Sequence, residues 1–315
     1  MQSDLYFDQL LSIAVAEDLG DGGDITTNTS IPPDLMVSGT FHIKQKGIIA
    51  GLALLGPLFR KIDPRISIKL LVEEGSFQKA GAAIAEISGP ARGILTGERS
   101  ALNILQHLSG IATATSEYVK IVSGHACAIL DTRKTLPGLR AAEKYAVRLG
   151  GGHNHRFGLD DRFIIKSNHL VFTGLAPELA IRQIVAAAKR SYPHLPLEIE
   201  VHRHELFDAA LEAPVDAIII FGMTPAETTE CVQKAHRKGK KVYFDASVDL
   251  TPDAVLAYAK AGIDGICLGA ITSSTHALDI GLRMHPIKLD EPKQIVEPIA
   301  QPSKKGLMSK LFSKR

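Results

Sequence analysis

The stretch GGGHNHRFGLDDRFIIKSNHL, residues 150–170, places three histidines, two arginines and one lysine around a short apolar run. Asp160 and Asp161 are its only acids. Cations crowded at the mouth of a buried strand call for an anion, because an unpaired ammonium or guanidinium is costly to remove from water. Lys166 directly follows Phe-Ile-Ile, so we expect its stem to be buried and its charge to serve a ligand. A second cationic pair, Arg133-Lys134 in DTRKT, also follows an apolar run and points to the same use. His153-Asn-His155 has the look of a metal pair. No carboxylate-rich set accompanies it, and no metal-ligand site is expected. Glu200 shares a strand-like run with Glu198, and we expect one of the two to face an interior and the other a helix layer. Arg99 could pair with its neighbour Glu98 on a helix surface, a weak interaction in general. Lys166 beside a phosphate cradle would also suit a Schiff base of the aldolase kind, which borohydride trapping with a carbonyl substrate would reveal.

The elements that must carry these residues change character along the chain. LYFDQLLSIAVAEDL has helical apolar spacing, and GDGGDITT follows as a turn. SGTFHIKQKGIIAGL and SIKLLVEEGSFQKAGAAIAEISG alternate like strands. ILTGERSALNILQHLSGIATATSEYVKIV then returns to helical spacing, as one long helix or two. From residue 126, six short β-branched runs recur: ACAILDT, RFIIKSNH, LPLEIEVH, VDAIIIFGM, KKVYFDAS and IDGICLGAI. Helical stretches separate most of them, which means parallel pairing and strands buried on both faces. The expected fold class is α/β: an N-terminal α/β sandwich domain over residues 1–115, an open, incomplete βα barrel over 116–286, and a flexible basic tail over 287–315. In such barrels the chemistry gathers where strands end. Those ends carry Arg133, Lys134, Lys166, Glu200, Phe221, Gly222, Ser247, Gly269 and Ala270. GICLGAITSS, with Gly269 and Ala270 opening a helix after a strand, makes a sensible phosphate cradle.

Composition bounds the rest. The chain has 315 residues, 45% hydrophobic and 22% charged, ordinary values for a globular protein. No apolar run reaches the length of a membrane span, so no membrane partner is expected. The acidic N-terminus lacks a signal-peptide pattern, which we read as cytoplasmic. Cys127, Cys231 and Cys267 fit no disulfide or zinc spacing and read as core residues in a reducing compartment. The segment 302–315 carries five positive charges, leaving −3 for the remainder of a chain whose net charge is +2. We read it as a solvated end, and expect no nucleic-acid partner.

ERSALNILQHLSGIAT, DTRKTLPGLRAAEKYAVRLGGGHNHRFGLDDRFIIKSNH and GIDGICLGAITSSTHALDIGL resemble the quinolinate phosphoribosyltransferase family, also called carboxylating nicotinate-nucleotide pyrophosphorylase. The similarity runs from EDLGDGGDITT to about residue 284. It implies transfer of a phosphoribosyl group from phosphoribosyl pyrophosphate, with Mg2+, to quinolinate. Decarboxylation then gives nicotinate mononucleotide for NAD synthesis. It implies a homodimer whose sites are completed by the neighbouring subunit. Carried over by position, Thr132, Arg133, His155, Arg156 and Lys166 would line the quinolinate pocket, with Lys134 nearer the pyrophosphate. Arg99 would reach in from the other subunit and Glu200 would face the ribose. Ser247, Gly269 and Ala270 would hold phosphate, while Lys134, Lys166 and Glu200 would be catalytic.

The chain departs from the family pattern on the phosphoribosyl side. Phe221-Gly222 stands where the family has an Asp in a Leu-Asp-Asn pattern, and Ser247-Val248-Asp249 where it has Ser-Gly-Gly. Thr272-Ser273-Ser274 replaces Thr-His-Ser, and Ser167 replaces the Asp of Lys-Asp-Asn-His. The alternative expectation is a divergent paralogue, like relatives associated with molybdenum-uptake operons. Such a protein would bind an aromatic acid or another anion without phosphoribosyl transfer.

Overall fold

In the computed structural model, residues 2–247 and 251–285 are described. Val248 and Asp249 of the expected phosphate turn, and the basic tail over 287–315, lie outside the described residues.

Helix α1 (Gln2–Leu19) covers the helical spacing at the start of the chain. Helix α2 (Ile25–Ser30) follows, and here the structure departs from the expected turn. Asp24 caps it by accepting from the Thr27 amide at 2.9 Å. Strands β1 (Met36–Ile43) and β2 (Gly47–Ile48), helix α3 (Leu52–Ile62), and strands β3 (Ser67–Leu70), β4 (Phe77–Gln78) and β5 (Ala83–Pro90) come next. The long apolar periodicity is a single helix, α4 (Ala91–Ile121). It spans the expected domain boundary at 115/116, so one rigid element joins the sandwich part to the barrel part. Gly110 on α4 permits close approach: a Cβ there would sit 2.2 Å from the His276 carbonyl oxygen.

The barrel then unrolls as strand and helix in turn. Its elements are β6 (Ala128–Leu130), α5 (Arg140–Leu149), β7 (Phe163–Ile165), α6 (Ser167–Val171), α7 (Pro177–Ser191), β8 (Leu197–Val201) and α8 (His204–Glu212). They continue with β9 (Ala217–Phe221), α9 (Pro225–Arg237), β10 (Tyr243–Ser247), α10 (Pro252–Lys260), β11 (Gly265–Cys267) and α11 (Ala270–Ser273). Helix α9 starts at a capping box, Thr224 with Glu227, and has proline at its first position. All six expected strands form one parallel sheet in the order β6-β11-β10-β9-β8-β7. Strands β6 and β7 do not pair with each other, so the barrel is open. Among the described residues, an isolated bridge between Leu130 and His153 extends the β6 edge. Helix side chains cover the outside of this sheet, and strand residues such as Ile199, Val201, Ile218 and Ile220 are fully buried beneath them.

The last strand, β12 (Ile280–Met284), pairs antiparallel with β1. It completes a sheet ordered β12-β1-β5-β3. Residues 280–284 therefore belong to the first sheet, a correction to the expectation that places them with the barrel. Nothing local in Ile-Gly-Leu-Arg-Met specifies that partner, which lies some 240 residues earlier in the chain.

Candidate functional site: a cationic cavity at the open barrel mouth

The strands of a parallel sheet place their C-terminal ends together, and here those ends surround a cavity of about 360 Å3. It is bounded by Thr132, Arg133 and Lys134 after β6, His155 and Arg156 in the loop before β7, Lys166 after β7, Glu200 of β8, Phe221 of β9 and Ser247 of β10. Ile164, Ile219 and Cys267 supply apolar wall. Eight of the expected site residues thus converge, drawn from a stretch of more than a hundred residues. Four permanent cations, Arg133, Lys134, Arg156 and Lys166, face one carboxylate, Glu200.

Two expectations need correcting. Residues two apart on a strand share a face. Glu198 and Glu200 both point into the barrel, Glu198 deep among charged groups and Glu200 toward the mouth. Neither faces the helices. The Lys166 side chain is 47% exposed rather than buried, and its Nζ donates to Glu200 Oε2 at 2.7 Å. Lys166 lies past the end of β7, at the start of α6, so its side chain stands at the cavity mouth.

The cations at the mouth act on one another. Burial lowers the pKa of Arg156, and the charge of Arg133 lowers it further. Two guanidiniums close enough to repel are an unfavourable arrangement unless an anion lies between them, and the planar fork of Arg suits a carboxylate. The loops that carry them are fastened. Arg140 donates to Thr135 Oγ1 at 3.1 Å and to the Phe157 carbonyl at 3.0 Å, joining the loop after β6 to the loop before β7. Glu143 accepts from the Leu136 amide and pairs with His107 of α4 at 2.9 Å.

Behind the cations lies a buried ionic cluster that sequence reading missed. Lys144 of α5 bonds Asp131, and Arg162 bonds Glu198. Lys144 also donates to the His155 carbonyl at 3.1 Å, and the His155 amide donates to Asp131 Oδ1 at 2.8 Å, so the pair clamps this histidine's backbone. Burial pushes the Asp131 carboxyl up to about 6 in spite of Lys144, and lowers Lys144. The Arg156 amide donates to His155 Nδ1 at 2.8 Å, which in the neutral ring puts the hydrogen on Nε2. Nε2 lies 3.2 Å from Glu198 Oε2 and 3.7 Å from Asp245 Oδ2. Burial alone would lower the ring's pKa. Asp245 and Glu198 outweigh it and raise it to about 9. The one available signal for this cluster is Lys144 itself, a lysine within the otherwise buried stripe of AAEKYAV.

Other residues singled out in the sequence lie around the cavity or at its mouth. Gly269 and Ala270 open α11 beside Lys134; a Cβ on Gly269 would meet Lys134 Cδ at 2.5 Å. Thr272 Oγ1 donates to the Lys134 carbonyl at 2.7 Å, and Ser273 Oγ to the Gly269 carbonyl at 3.1 Å, so both hold the turn. Ser167 begins α6. Phe221, at 50% exposure, presents its ring at the cavity mouth. Arg99 lies exposed on α4, outside the cavity. The three cysteines are free thiols; Cys231 and Cys267 are buried and Cys127 partly so.

An open βα barrel with a strongly cationic mouth and one carboxylate defines an enzyme-like site for a polyanionic small molecule. Comparison with known proteins narrows this class. Residues 24–109 match the family model for the quinolinate phosphoribosyl transferase N-terminal domain, and residues 111–283 that for its C-terminal domain. The chain is 39% identical over 289 residues to a nicotinate-nucleotide pyrophosphorylase [carboxylating] of Mycobacterium leprae, covering 90% of this chain and 99% of that protein. A probable enzyme of the same name from Bacillus subtilis is 37% identical over 279 residues, with 88% and 93% covered. The solved structure of the nicotinate-nucleotide pyrophosphorylase from Francisella tularensis aligns with a TM-score of 0.82 at 34% identity, covering 90% of this chain and 97% of that one. The chain belongs to the quinolinate phosphoribosyltransferase family. Among the described residues, no helix is long and apolar enough to cross a membrane.

Proposed function

We propose that the protein transfers the phosphoribosyl group of phosphoribosyl pyrophosphate to the ring nitrogen of quinolinate. It then releases one carboxylate as CO2, leaving nicotinate mononucleotide and pyrophosphate. The observation that supports this most is the convergence of Arg133, Lys134, Arg156 and Lys166 on one cavity, with Arg133 and Arg156 close enough to repel. A dianionic ring acid relieves that repulsion.

The chemistry needs no nucleophilic side chain. The bond from ribose C1 to pyrophosphate breaks while the bond from ring nitrogen to C1 forms, through an oxocarbenium-like state. Glu200 stabilises the positive charge at C1, and Lys166, hydrogen-bonded to it, holds its orientation. Lys134 and the turn at Gly269 and Ala270, with Ser247, neutralise the phosphates and the departing pyrophosphate. Mg2+ would come with the diphosphate of the substrate and would offset part of its negative charge. Thr132, Arg133, His155 and Arg156 hold the diacid. Once the ring nitrogen is cationic it accepts the electron pair that the departing CO2 leaves at the adjacent carbon, and a proton replaces the carboxylate there. Arg99 contributes from a second copy in a homodimer, consistent with its exposed position away from its own cavity.

The test is direct. Protein incubated with quinolinate, phosphoribosyl pyrophosphate and Mg2+ is expected to form nicotinate mononucleotide, followed by chromatography. Tight quinolinate binding with no product over many hours would instead favour a non-catalytic paralogue, in keeping with Phe221 at the cavity mouth.

A further inference from the structure

A second cavity, of about 250 Å3, lies at the opposite end of the strands, bounded by Asn154, Arg162, Glu198, Asp216, Tyr243 and Asp245 among others. His155 borders both cavities and forms part of the wall between them. Around it the charges do not balance. Asp131, Glu198 and Asp245 are fully buried. Lys144 serves Asp131 and Arg162 serves Glu198. Among the described residues, neither oxygen of Asp245 has a hydrogen-bond partner, and the ring nitrogen that faces it is His155 Nε2, at 3.7 Å. Among the described residues, two permanent cations against three carboxylates leave one negative charge on buried groups, an arrangement that a single added proton removes.

We propose that His155 and Asp245 share that proton, and that its presence governs how strongly the front cavity holds a dicarboxylate. The inference rests on the quinolinate reading above. Asp245 borders the rear cavity and not the front one, so it acts through His155 as a positioning residue. With the proton in place the back wall is neutral, and the dianion meets the four front cations against Glu200. Without it the back wall carries a net negative charge and repels the dianion.

The groups facing His155 come from every neighbouring element. They are Asp131 after β6, Lys144 of α5, Arg162 before β7, Glu198 of β8, Asp245 of β10 and Cys267 of β11, with Arg156 in its own loop. Burial pushes the Cys267 thiol well up, so it stays neutral. Burial also raises Asp245, and the carboxylates raise His155 to about 9. Both shifts keep the proton on the pair at neutral pH and release it as pH climbs through about 9.

Calorimetric titration of quinolinate into wild type and Asp245→Asn, at about pH 7 and about pH 9.5, tests this. In wild type the dissociation constant is expected to rise about tenfold across that interval, from one added charge behind the site. Asp245→Asn removes the unbalanced carboxylate, so its dissociation constant is expected to change far less. The front lysines are present in both proteins, so their contribution is common to both. Equal pH dependence in the two proteins, or a flat wild-type profile, overturns the proposal. Failure of wild type to bind quinolinate at about pH 7 refutes the functional reading instead, a distinct result. Should Asp245→Asn not fold, wild type still decides. Binding near pH 9 is expected to take up protons, measured in buffers of differing ionisation enthalpy, and binding near pH 7 is not. No uptake near pH 9 overturns the proposal.

Discussion

Replacing Lys144 by methionine probes the clamp behind the site most sharply. The lysine side chain is 3% exposed and its partner Asp131 is fully buried. Methionine has similar length and fills the space, so the packing loss is small. What remains is a carboxylate without its counter-ion and a His155 carbonyl without the Lys144 donor. Removing one partner of a buried pair costs about 3–5 kcal/mol, and the lost bond to the carbonyl adds about 1 kcal/mol. Against a typical folding stability of about 5–15 kcal/mol, that is a large fraction. Urea unfolding followed by circular dichroism measures it.

The same variant should respond to pH in a defined direction. Burial already raises Asp131 to about 6 in the intact protein, above its unfolded value, and loss of Lys144 raises it further. A carboxyl raised in the folded state stabilises it below the unfolded pKa and loses that contribution as pH rises through the folded one. The deficit of Lys144→Met relative to wild type is therefore expected to be largest at about pH 8 and to shrink toward about pH 5. Adding Asp131→Asn removes the stranded charge and should recover most of the loss. A deficit under about 1 kcal/mol, or a double variant as unstable as the two single losses added, would refute the account of a buried pair that clamps His155.

Three further outcomes are expected. Arg156→Ala should weaken quinolinate binding on the order of 10²-fold through loss of charge-assisted hydrogen bonds. Binding of phosphoribosyl pyrophosphate should change far less, and equal losses would remove Arg156 from the ring-acid side. Phe221→Asp should raise turnover if the mouth of the cavity lacks a carboxylate toward the ribose; steady-state kinetics showing no change or a fall would mean that the site is built around the aromatic ring. Gly110→Ala forces a Cβ to 2.2 Å from the His276 carbonyl oxygen. Because that contact is to backbone, thermal unfolding should show a loss of about 1–3 kcal/mol, and an unchanged midpoint would contradict the close approach.

Much of the architecture was legible in the chain. Runs such as AIIIF and YFDAS, separated by helical stretches, read as strands of a parallel sheet because burial on both faces leaves them without alternation. DTRKT and HNHRF carried the cations at strand ends, and the family resemblance gave each an expected part. The β12–β1 pairing was not legible, since a strand names its face but not its distant neighbour. Nor was the exposure of Lys166, which depends on where the junction of β7 and α6 meets the cavity mouth. The Asp131–Lys144 and Arg162–Glu198 pairs were missed as well. A charged residue in an apolar segment looks alike whether it meets a partner or solvent.

Local order along the chain was enough to specify element types, the sequence of strands and helices, and which loops bear cations, because these follow from periodicity and residue chemistry over a few neighbouring positions. Where charge balances, and where one proton must be added to balance it, was decided by folding alone. Asp131, His155, Glu198 and Asp245 are spread over more than a hundred residues, and Coulomb energies depend on separations and burial that exist only once the barrel has brought them together.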